Sequence, residues 1–297
     1  MNKRHFPALA QAASGLRRIA LALALAGAAT AASANSLAGR GNDGFLALGD
    51  SVVFGYIEAA GYAYGNPRNF LGYPDYVGAA LRFSVANASC PGETTAGFIS
   101  WAGADYKCRP YRANFPLHVS YSDTQLDYAM SYLQSHKQTR LVTIGLGAND
   151  LFLLQAACNS DLACVQAGLP ALLDTIYTNM STILQNLRST GYRGVLMVVN
   201  YYSSDYADPV PTGIMAAINQ SLAAAAAANG AVVADVFTAF QKSASPSPAD
   251  GKTCMVGLLN ADPANQWACD DHPSQSGQEL LAKTVVETYA RAMHPHQ

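Results

Sequence analysis

The chain has 297 residues, of which half are hydrophobic and only 13% are charged, and its formal net charge is −2. This apolar content is enough for one sizeable core, and it excludes a wholly disordered chain, because disordered chains are poor in apolar residues and rich in charge. The slightly acidic balance argues against a nucleic-acid-binding protein, which would carry a basic surface.

The first 34 residues have the pattern of a secretory signal peptide. Four basic residues and a short apolar run at 19–28 precede the small-residue sequence Ala32-Ser33-Ala34, so we predict cleavage before Asn35. A membrane anchor is the alternative, but the run is short for a bilayer span. Cleavage would remove four of the 18 basic residues and none of the 20 acidic ones, which leaves a net charge of −6. We therefore expect a secreted or periplasmic protein without stable membrane insertion, in which residues 35–297 form one domain.

Strand-like and helix-like segments alternate along the rest of the chain. Short apolar runs predict five strands, at residues 45–48, 83–87, 141–144, 194–199 and 231–236. Helical spacing predicts helices at residues 73–82, 125–136, 162–187, 212–229 and 276–293, with an interruption of the third near Gly168-Leu169-Pro170. Strict alternation implies parallel strands with right-handed crossovers, and continuous apolar strands imply helices on both faces. The predicted fold class is α/β, a three-layer α/β/α sandwich with a parallel five-stranded sheet.

Six cysteines follow the predicted signal segment, and an even number in an exported protein indicates three disulfides. Six cysteines allow 15 pairings. We favour the nearest-neighbour set, because each pair would then bracket one loop: Cys90–Cys108, Cys158–Cys164 and Cys254–Cys269. The alternative is a zinc site, but there is no CxxC pair, so we expect no metal.

Polar blocks follow the predicted strands, at the edge of a parallel sheet where ligands bind. They are Gly49-Asp50-Ser51, residues 87–95, Gly147-Ala148-Asn149-Asp150 and, before the last helix, Asp270-Asp271-His272-Pro273. Acyl transfer needs a hydroxyl nucleophile, an oriented base and donors for the developing oxyanion. Ser51 suits the nucleophile and His272 the base. The backbone N–H groups of Ser51 and Gly92 and the side-chain amide of Asn149 are candidate oxyanion donors.

These blocks resemble those of the SGNH hydrolases, also called GDSL lipases, which are named for Ser, Gly, Asn and His in four blocks. Here those residues are Ser51, Gly92, Asn149 and His272, and Val52 stands where the GDSL motif has Leu. The resemblance implies a flavodoxin-like fold and esterase, lipase, thioesterase or carbohydrate-deacylating activity without a cofactor. The expected partner is a small-molecule or lipid ester, and the expected state is a monomer.

The acid of a catalytic triad is left open by the sequence. The family often has an acid three residues before the histidine, where this chain has Cys269. Asp270 is favoured as the residue that orients the imidazole. Asp271 and the main-chain carbonyl of Cys269 are the alternatives. Asp50 and Asp150 are interpreted as structural residues, the first in the turn of the nucleophile and the second as a helix cap.

Substrate determinants are less clear. Residues 53–73 are rich in Gly and aromatic residues and form either an apolar, mobile wall for an acyl chain or plain packing. Tyr201, Tyr202 and Tyr206 follow the fourth strand and are candidates to line the cleft. The main hypothesis is a secreted serine hydrolase that cleaves carboxylic esters. The alternatives are a deacetylase of extracellular polysaccharide and a non-catalytic binding protein.

Overall fold

The computed structural model describes residues 43–58, 60–262 and 264–294. The predicted signal segment and its cleavage site lie outside these residues. Among the described helices, none combines the length and the apolar character needed to cross a lipid bilayer.

The five predicted strands form one parallel sheet in the order β2-β1-β3-β4-β5, which confirms the predicted fold class. The strands are β1 (Gly44–Gly49), β2 (Ser84–Asn87), β3 (Thr139–Gly145), β4 (Val195–Val199) and β5 (Val232–Ala234). The helices of this part of the chain are α1 (Ser51–Phe54), α2 (Tyr73–Leu81), α3 (Thr95–Ile99), α4 (Cys108–Asn114), α5 (Gln125–Ser135), α6 (Ala148–Ala157), α7 (Leu162–Ser189), α8 (Pro209–Ala228), α9 (Val236–Ala244) and α10 (Gln275–Met293). Short 3-10 helices span Gly61–Gly65, Pro67–Asn69 and Cys254–Val256.

Helices cover both faces of the sheet. Leu46 and Leu48 point to one face, where side chains of α5, α7 and α8 join them in the largest buried cluster. Phe45 and Ala47 are equally buried and point to the opposite face, because successive strand residues alternate in direction. On that side α2 and α10 pack against each other. The strands are therefore buried from both sides, as their continuous apolar sequences predict.

Two predicted boundaries were wrong for local reasons. α7 runs without interruption through Pro170, whose exposed position lets water satisfy the carbonyl that loses its helical partner. Gly168 serves packing instead of ending the helix, since a Cβ there would lie 2.6 Å from Leu154 Cδ1 on α6. β5 ends at Ala234 because the Asp235 side chain accepts a hydrogen bond from Thr238 N and so caps α9.

A second, antiparallel sheet consists of β6 (Leu259–Asp262) and β7 (Asn265–Pro273). This hairpin was not predicted, and it carries His272 on a strand, where the sequence indicated a loop. The disulfide Cys254–Cys269 joins β7 to the segment that precedes β6. Together with Cys90–Cys108 and Cys158–Cys164 it confirms the predicted nearest-neighbour pairing.

Candidate active site

The turn that carries Ser51 lies at the carboxyl end of β1. Gly49 pairs with Gly145 at the end of β3, and a Cβ on Gly49 would lie 2.3 Å from the Gly145 carbonyl oxygen, so only glycine permits this approach. Asp50 caps α1, because its Oδ1 accepts a hydrogen bond from Val52 N at 2.9 Å. Ser51 is thereby placed at the N-terminus of a one-turn helix directly after the strand.

The Asp50 carboxylate is buried and has three hydrogen-bond donors. Besides Val52 N, the Tyr201 hydroxyl donates to Oδ2 at 2.5 Å and Asn149 Nδ2 donates to the same oxygen at 3.3 Å. Burial raises the pKa of Asp50 to about 6, against the lowering effect of the bonds from Tyr201 and Val52. These contacts support the structural interpretation of Asp50, which holds the turn of Ser51 and forms no hydrogen bond with His272.

Gly92 lies on the loop after β2 with φ of 85°, a conformation that favours glycine. A Cβ on Gly92 would lie 2.5 Å from Lys107 Cβ, and Lys107 N donates to the Gly92 carbonyl at 3.2 Å. The disulfide Cys90–Cys108 joins the residues on either side of this contact. The loop is therefore fixed both covalently and by backbone hydrogen bonding.

Asn149 connects this loop to the turn of Ser51. It lies in the first turn of α6, and its Nδ2 donates to the Glu93 carbonyl at 2.9 Å in addition to its 3.3 Å bond to Asp50. Asp150 was predicted to cap a helix, but the N-cap of α3 is Thr94 and that of α6 is Gly147, and Asp150 instead bonds to Thr95, the first residue of α3. Its carboxylate accepts from Thr95 N at 3.0 Å and from the Thr95 hydroxyl at 2.6 Å.

His272 lies at the end of β7, and its ring lies against that of Tyr56, with centroids 4.8 Å apart. Asp270 Oδ1 accepts a hydrogen bond from His272 N at 2.7 Å and lies 3.7 Å from His272 Nδ1. Nδ1 and Asp270 Oδ2 are both buried without a hydrogen-bond partner among the described residues. Of the three candidate groups, Asp270 is thus the one that lies beside Nδ1, and the distance from its Oδ1 to Nδ1 is longer than a hydrogen bond. The carbonyl of Asp271 accepts from the Tyr202 hydroxyl at 2.5 Å.

The four residues of the sequence blocks line one cleft. We call it the polar cleft; it has a volume of about 320 Å³, and Ser51, Gly92, Asn149 and His272 lie in its wall. Apart from Pro91, the further side chains in its wall are aromatic or charged, and they include Tyr56, Glu58, Tyr106, Lys107 and Tyr111. Asp270 is not in this wall and lies behind His272.

A second cleft of about 360 Å³, the apolar cleft, begins at the same residues. Ser51, Asn149, Phe152, Asp271 and His272 line both clefts. The apolar cleft continues between α6, α7 and α8, and its distinguishing side chains include Leu162, Val165, Val210, Ile214 and Met215. Tyr201 and Tyr202 also line it, as predicted, whereas the Tyr206 hydroxyl donates to the Phe237 carbonyl and lies outside both walls.

The aromatic segment at 53–73 mostly packs. Phe54, Phe70 and Tyr73 are fully buried, which supports the packing interpretation of these residues. Tyr56 is the member of the segment's aromatic residues that reaches a cleft, and it lines the polar one. The apolar lining next to Ser51 and His272 is therefore formed by α6, α7 and α8 and not by this segment.

Gln125 was not identified from the sequence as part of the site. Its Oε1 accepts from Gly49 N at 2.6 Å, and its Nε2 donates to the Gly49 carbonyl at 3.0 Å and to Glu93 Oε2 at 3.3 Å. Gln125 thereby connects the end of β1 to the loop of Gly92. A glutamine at the first position of a helix carries no sequence signal for such a contact.

One group of potential metal ligands occurs in the described part of the chain. Cys90, Glu93 and Cys108 lie close together, but the two cysteines form a disulfide, and thiolates are what a metal binds. These residues do not fit a metal in this state.

Sequence comparison decides the family. The profile of the GDSL-like Lipase/Acylhydrolase family matches residues 47–280. The chain belongs to this family. No curated protein shows significant sequence similarity to it.

Solved structures to which this chain is similar include three hydrolases of low sequence identity. A phospholipase A1 from Streptomyces albidoflavus superposes with a TM-score of 0.58 at 17% identity, over 83% of this chain and 99% of that chain. A lipase/acylhydrolase from Enterococcus faecalis has a TM-score of 0.46 at 19% identity, over 86% of this chain and 99% of that chain. An acetyl xylan esterase from Geobacillus stearothermophilus has a TM-score of 0.49 at 17% identity, over 83% and 94%. At these identities the phospholipase supports the shared fold of the family and not a shared substrate.

Proposed function

We propose that this chain is an exported carboxylic ester hydrolase in which Ser51 is the nucleophile and His272 the general base. The observation that carries the proposal is that Ser51, Gly92, Asn149 and His272, from four distant parts of the sequence, line one cleft. Family membership supports ester hydrolysis in general. Three disulfides are consistent with an extracellular or periplasmic location, because such bonds persist in oxidising compartments.

In the proposed reaction, the Ser51 hydroxyl attacks the ester carbonyl carbon while His272 Nε2 takes its proton. The Ser51 and Gly92 N–H groups and the Asn149 amide stabilise the oxyanion. His272 then donates the proton to the alcohol oxygen as the carbon–oxygen bond breaks. Water hydrolyses the acyl-enzyme with His272 again as base, which releases the acid and restores Ser51.

Asp270 acts in this scheme as the residue that orients His272 through Nδ1. Its oxygen is 3.7 Å from Nδ1 without substrate. Catalytic hydrogen bonds are often long in unliganded structures and shorten in the substrate complex. Asn149 must likewise share an amide hydrogen with the oxyanion, and its longer bond, at 3.3 Å to Asp50, is the weaker of the two.

Deacetylation of a polysaccharide is a second candidate, favoured by the aromatic and charged lining of the polar cleft. An acetyl group would leave most of the apolar cleft empty, and the loss of apolar burial there favours longer acyl chains. We therefore place fatty esters first. Acetylated sugars are the comparison substrates.

The test is hydrolysis of p-nitrophenyl acetate, butyrate, octanoate and palmitate by the wild type, Ser51→Ala and a control, Ser131→Ala. Ser131 is exposed on α5 and belongs to none of the four blocks. We expect activity in the wild type and the control and loss of at least about 10³-fold in Ser51→Ala, which removes the nucleophile. Absence of wild-type activity on these and on acetylated sugars, or full activity of Ser51→Ala, would overturn the proposal in favour of a binding protein or of another nucleophile.

A further inference from the structure

We propose that the two clefts divide the ester between them: the apolar cleft binds the acyl chain, and the polar cleft binds a hydroxyl-bearing alcohol portion through Tyr111 and Lys107. This inference rests on the proposed hydrolase function and adds to it the class of substrate, a fatty acyl ester of a polyol. An ester has two substituents that diverge from the reacting centre. The two clefts likewise diverge from the five residues that they share, among which are Ser51 and His272.

The lining of the apolar cleft suits a hydrocarbon chain. Val165 and Ile214 are buried, while Leu162 and Val210 at the rim are 44% and 38% exposed. A chain that fills this space removes apolar surface from water on both partners, and each buried methylene strengthens binding roughly fourfold. Hydroxyl groups there would lose water and find few partners.

The Tyr111 hydroxyl indicates a polar ligand in the other cleft. Tyr111 is only 8% exposed, and its hydroxyl is buried with no hydrogen-bond partner among the described residues. Its neighbour Tyr64, in the same aromatic cluster, has its hydroxyl hydrogen-bonded to Tyr56 Oη at 2.9 Å and to the Ile57 carbonyl at 3.0 Å. Buried polar groups are normally paired, so Tyr111 is the exception that a bound hydroxyl or ether oxygen would satisfy. Burial raises the pKa of Tyr111 to about 12, and the hydroxyl therefore remains a donor.

Lys107 adds a second donor, an exposed side chain on a backbone that is held in place. Its backbone is bonded to Gly92, and the following residue, Cys108, is joined by a disulfide to Cys90. Its Nζ lies 4.9 Å from the centre of the Tyr106 ring, which also lines the polar cleft. Glu58 in the same wall supplies an acceptor. Hydroxyl groups both donate and accept, and therefore match this mixture, whereas the opposite charges of Lys107 and Glu58 disfavour a ligand of one charge sign.

The experiment measures two selectivity ratios by kcat/KM. The acyl ratio compares p-nitrophenyl octanoate with p-nitrophenyl acetate. The alcohol ratio compares monooctanoylglycerol with methyl octanoate. Met215→Trp, which fills the apolar cleft, should lower the acyl ratio at least tenfold and leave the alcohol ratio within twofold. Val210→Trp at the exposed rim is a second variant of the same kind, should Met215→Trp fold poorly.

Tyr111→Phe and Lys107→Met should lower the alcohol ratio by about 2- to 10-fold, the value of one hydrogen bond, and leave the acyl ratio within twofold. Tyr111→Phe should also keep or raise the thermal midpoint of the free protein, because it removes an unpaired buried hydroxyl. If the hydroxyl instead stabilised the fold, Tyr111→Phe would lower the thermal midpoint. Matched controls with the same substitutions at exposed positions are Met255→Trp, Tyr177→Phe and Lys137→Met.

The division of the ester is wrong if the apolar-cleft variants change the alcohol ratio and the polar-cleft variants change the acyl ratio. It is also wrong if each variant changes both ratios equally, or if no variant changes either ratio. In that case an active wild type and an inactive Ser51→Ala would leave the proposed hydrolase function intact. A wild type that hydrolyses neither these esters nor acetylated sugars contradicts the proposed function itself, and the division of the clefts fails with it.

Discussion

Residues 49–52 and 270–273 carry the two halves of the proposed catalytic pair, and hydrogen bonds support them unequally. On the nucleophile side, both backbone groups of Gly49 bond to Gln125, and the Asp50 carboxylate accepts three hydrogen bonds. On the histidine side, Nδ1 of His272 and Oδ2 of Asp270 are buried without partners. Without substrate, Gly49 and the Asp50 carboxylate on the nucleophile side are thus hydrogen-bonded, whereas these two atoms on the histidine side are not.

The sheet that carries Ser51 is also larger than the sheet that carries His272. Ser51 follows β1, an internal strand of the five-stranded sheet that lies between β2 and β3, whereas His272 lies on a two-stranded hairpin. An isolated two-stranded hairpin has little stability of its own. The disulfide Cys254–Cys269 and the packing of β7 against α10 compensate for this. We infer that the oxyanion donors are preorganised, as electrostatic stabilisation requires, and that the His–Asp contact tightens when substrate binds.

Among the residues that support this pair, Asn149 on the bonded side should give the largest effect. Asn149→Ala removes both a proposed oxyanion donor and the bond to the Glu93 carbonyl, so kcat should fall about 10²- to 10³-fold with a small change in KM. Steady-state kinetics on p-nitrophenyl octanoate measure this. Asn114→Ala, at an exposed position on α4, is the control. A variant with raised KM and normal kcat would assign Asn149 to substrate binding instead.

On the histidine side, Asp270→Ala should lower kcat on the order of 10²-fold, because His272 loses the carboxylate next to Nδ1 that orients it as a general base. Asp271→Ala is the matched control: it removes the adjacent carboxylate and keeps the Asp271 carbonyl that Tyr202 contacts. A greater loss in Asp271→Ala would identify that residue as the orienting acid. Wild-type activity in both variants would show that neither carboxylate orients His272, and the Cys269 carbonyl would remain as the candidate.

The same contrast separates what the sequence could predict from what it could not. β1 and β3 are apolar runs whose ends carry Ser51 and Asn149, and local pattern together with the strand-end rule was sufficient to place them in one cleft. β7 contains few apolar residues and no clear alternation, and it was therefore interpreted as a loop. Its strand conformation depends on pairing with β6 and on a disulfide, and neither is a local property.

Contacts between residues that are distant in the chain could not be predicted from the sequence either. Gln125 has an ordinary position at the start of α5, and nothing nearby shows that it reaches Gly49, 76 residues earlier. The apolar cleft likewise depends on how α7 and α8 pack, whereas composition pointed to the aromatic segment at 53–73. Aromatic content predicts burial, but it does not say which surface the ring contacts.

Removing Gln125 tests whether its bonds account for the rigidity of the nucleophile side. Gln125→Leu leaves Gly49 N buried without its partner, while the Gly49 carbonyl keeps its bond from Cys90 N, so the free energy of unfolding should fall by about 1–3 kcal/mol. Urea denaturation gives this value. Gln134→Leu, at an exposed position on the same helix, should change it by less than about 0.5 kcal/mol. Unchanged stability in Gln125→Leu would show that backbone pairing alone holds the end of β1.

The smallest effect is a change in stability with pH, and it concerns Glu93, which follows Gly92 on the loop after β2. Burial, with a further contribution from Asp105, raises the pKa of Glu93 from its ordinary value of 4.5 to about 8. Between these two values the folded protein retains a proton that the unfolded chain releases, so this group's contribution to stability is full below pH 4.5 and is lost as the pH rises through about 8. The slope approaches about 1.4 kcal/mol per pH unit.

Glu93→Gln keeps an uncharged side chain of similar size and should flatten this part of the stability curve, measured by urea denaturation between pH 5 and 8. Glu287→Gln, at an exposed position on α10, should retain the wild-type slope. If Glu93→Gln retains it as well, then Glu93 is ionised in the folded protein. The bond from Gln125 Nε2 would in that case join a charged carboxylate to the nucleophile strand, and the bonded side would owe its rigidity to a buried charge instead of a neutral network.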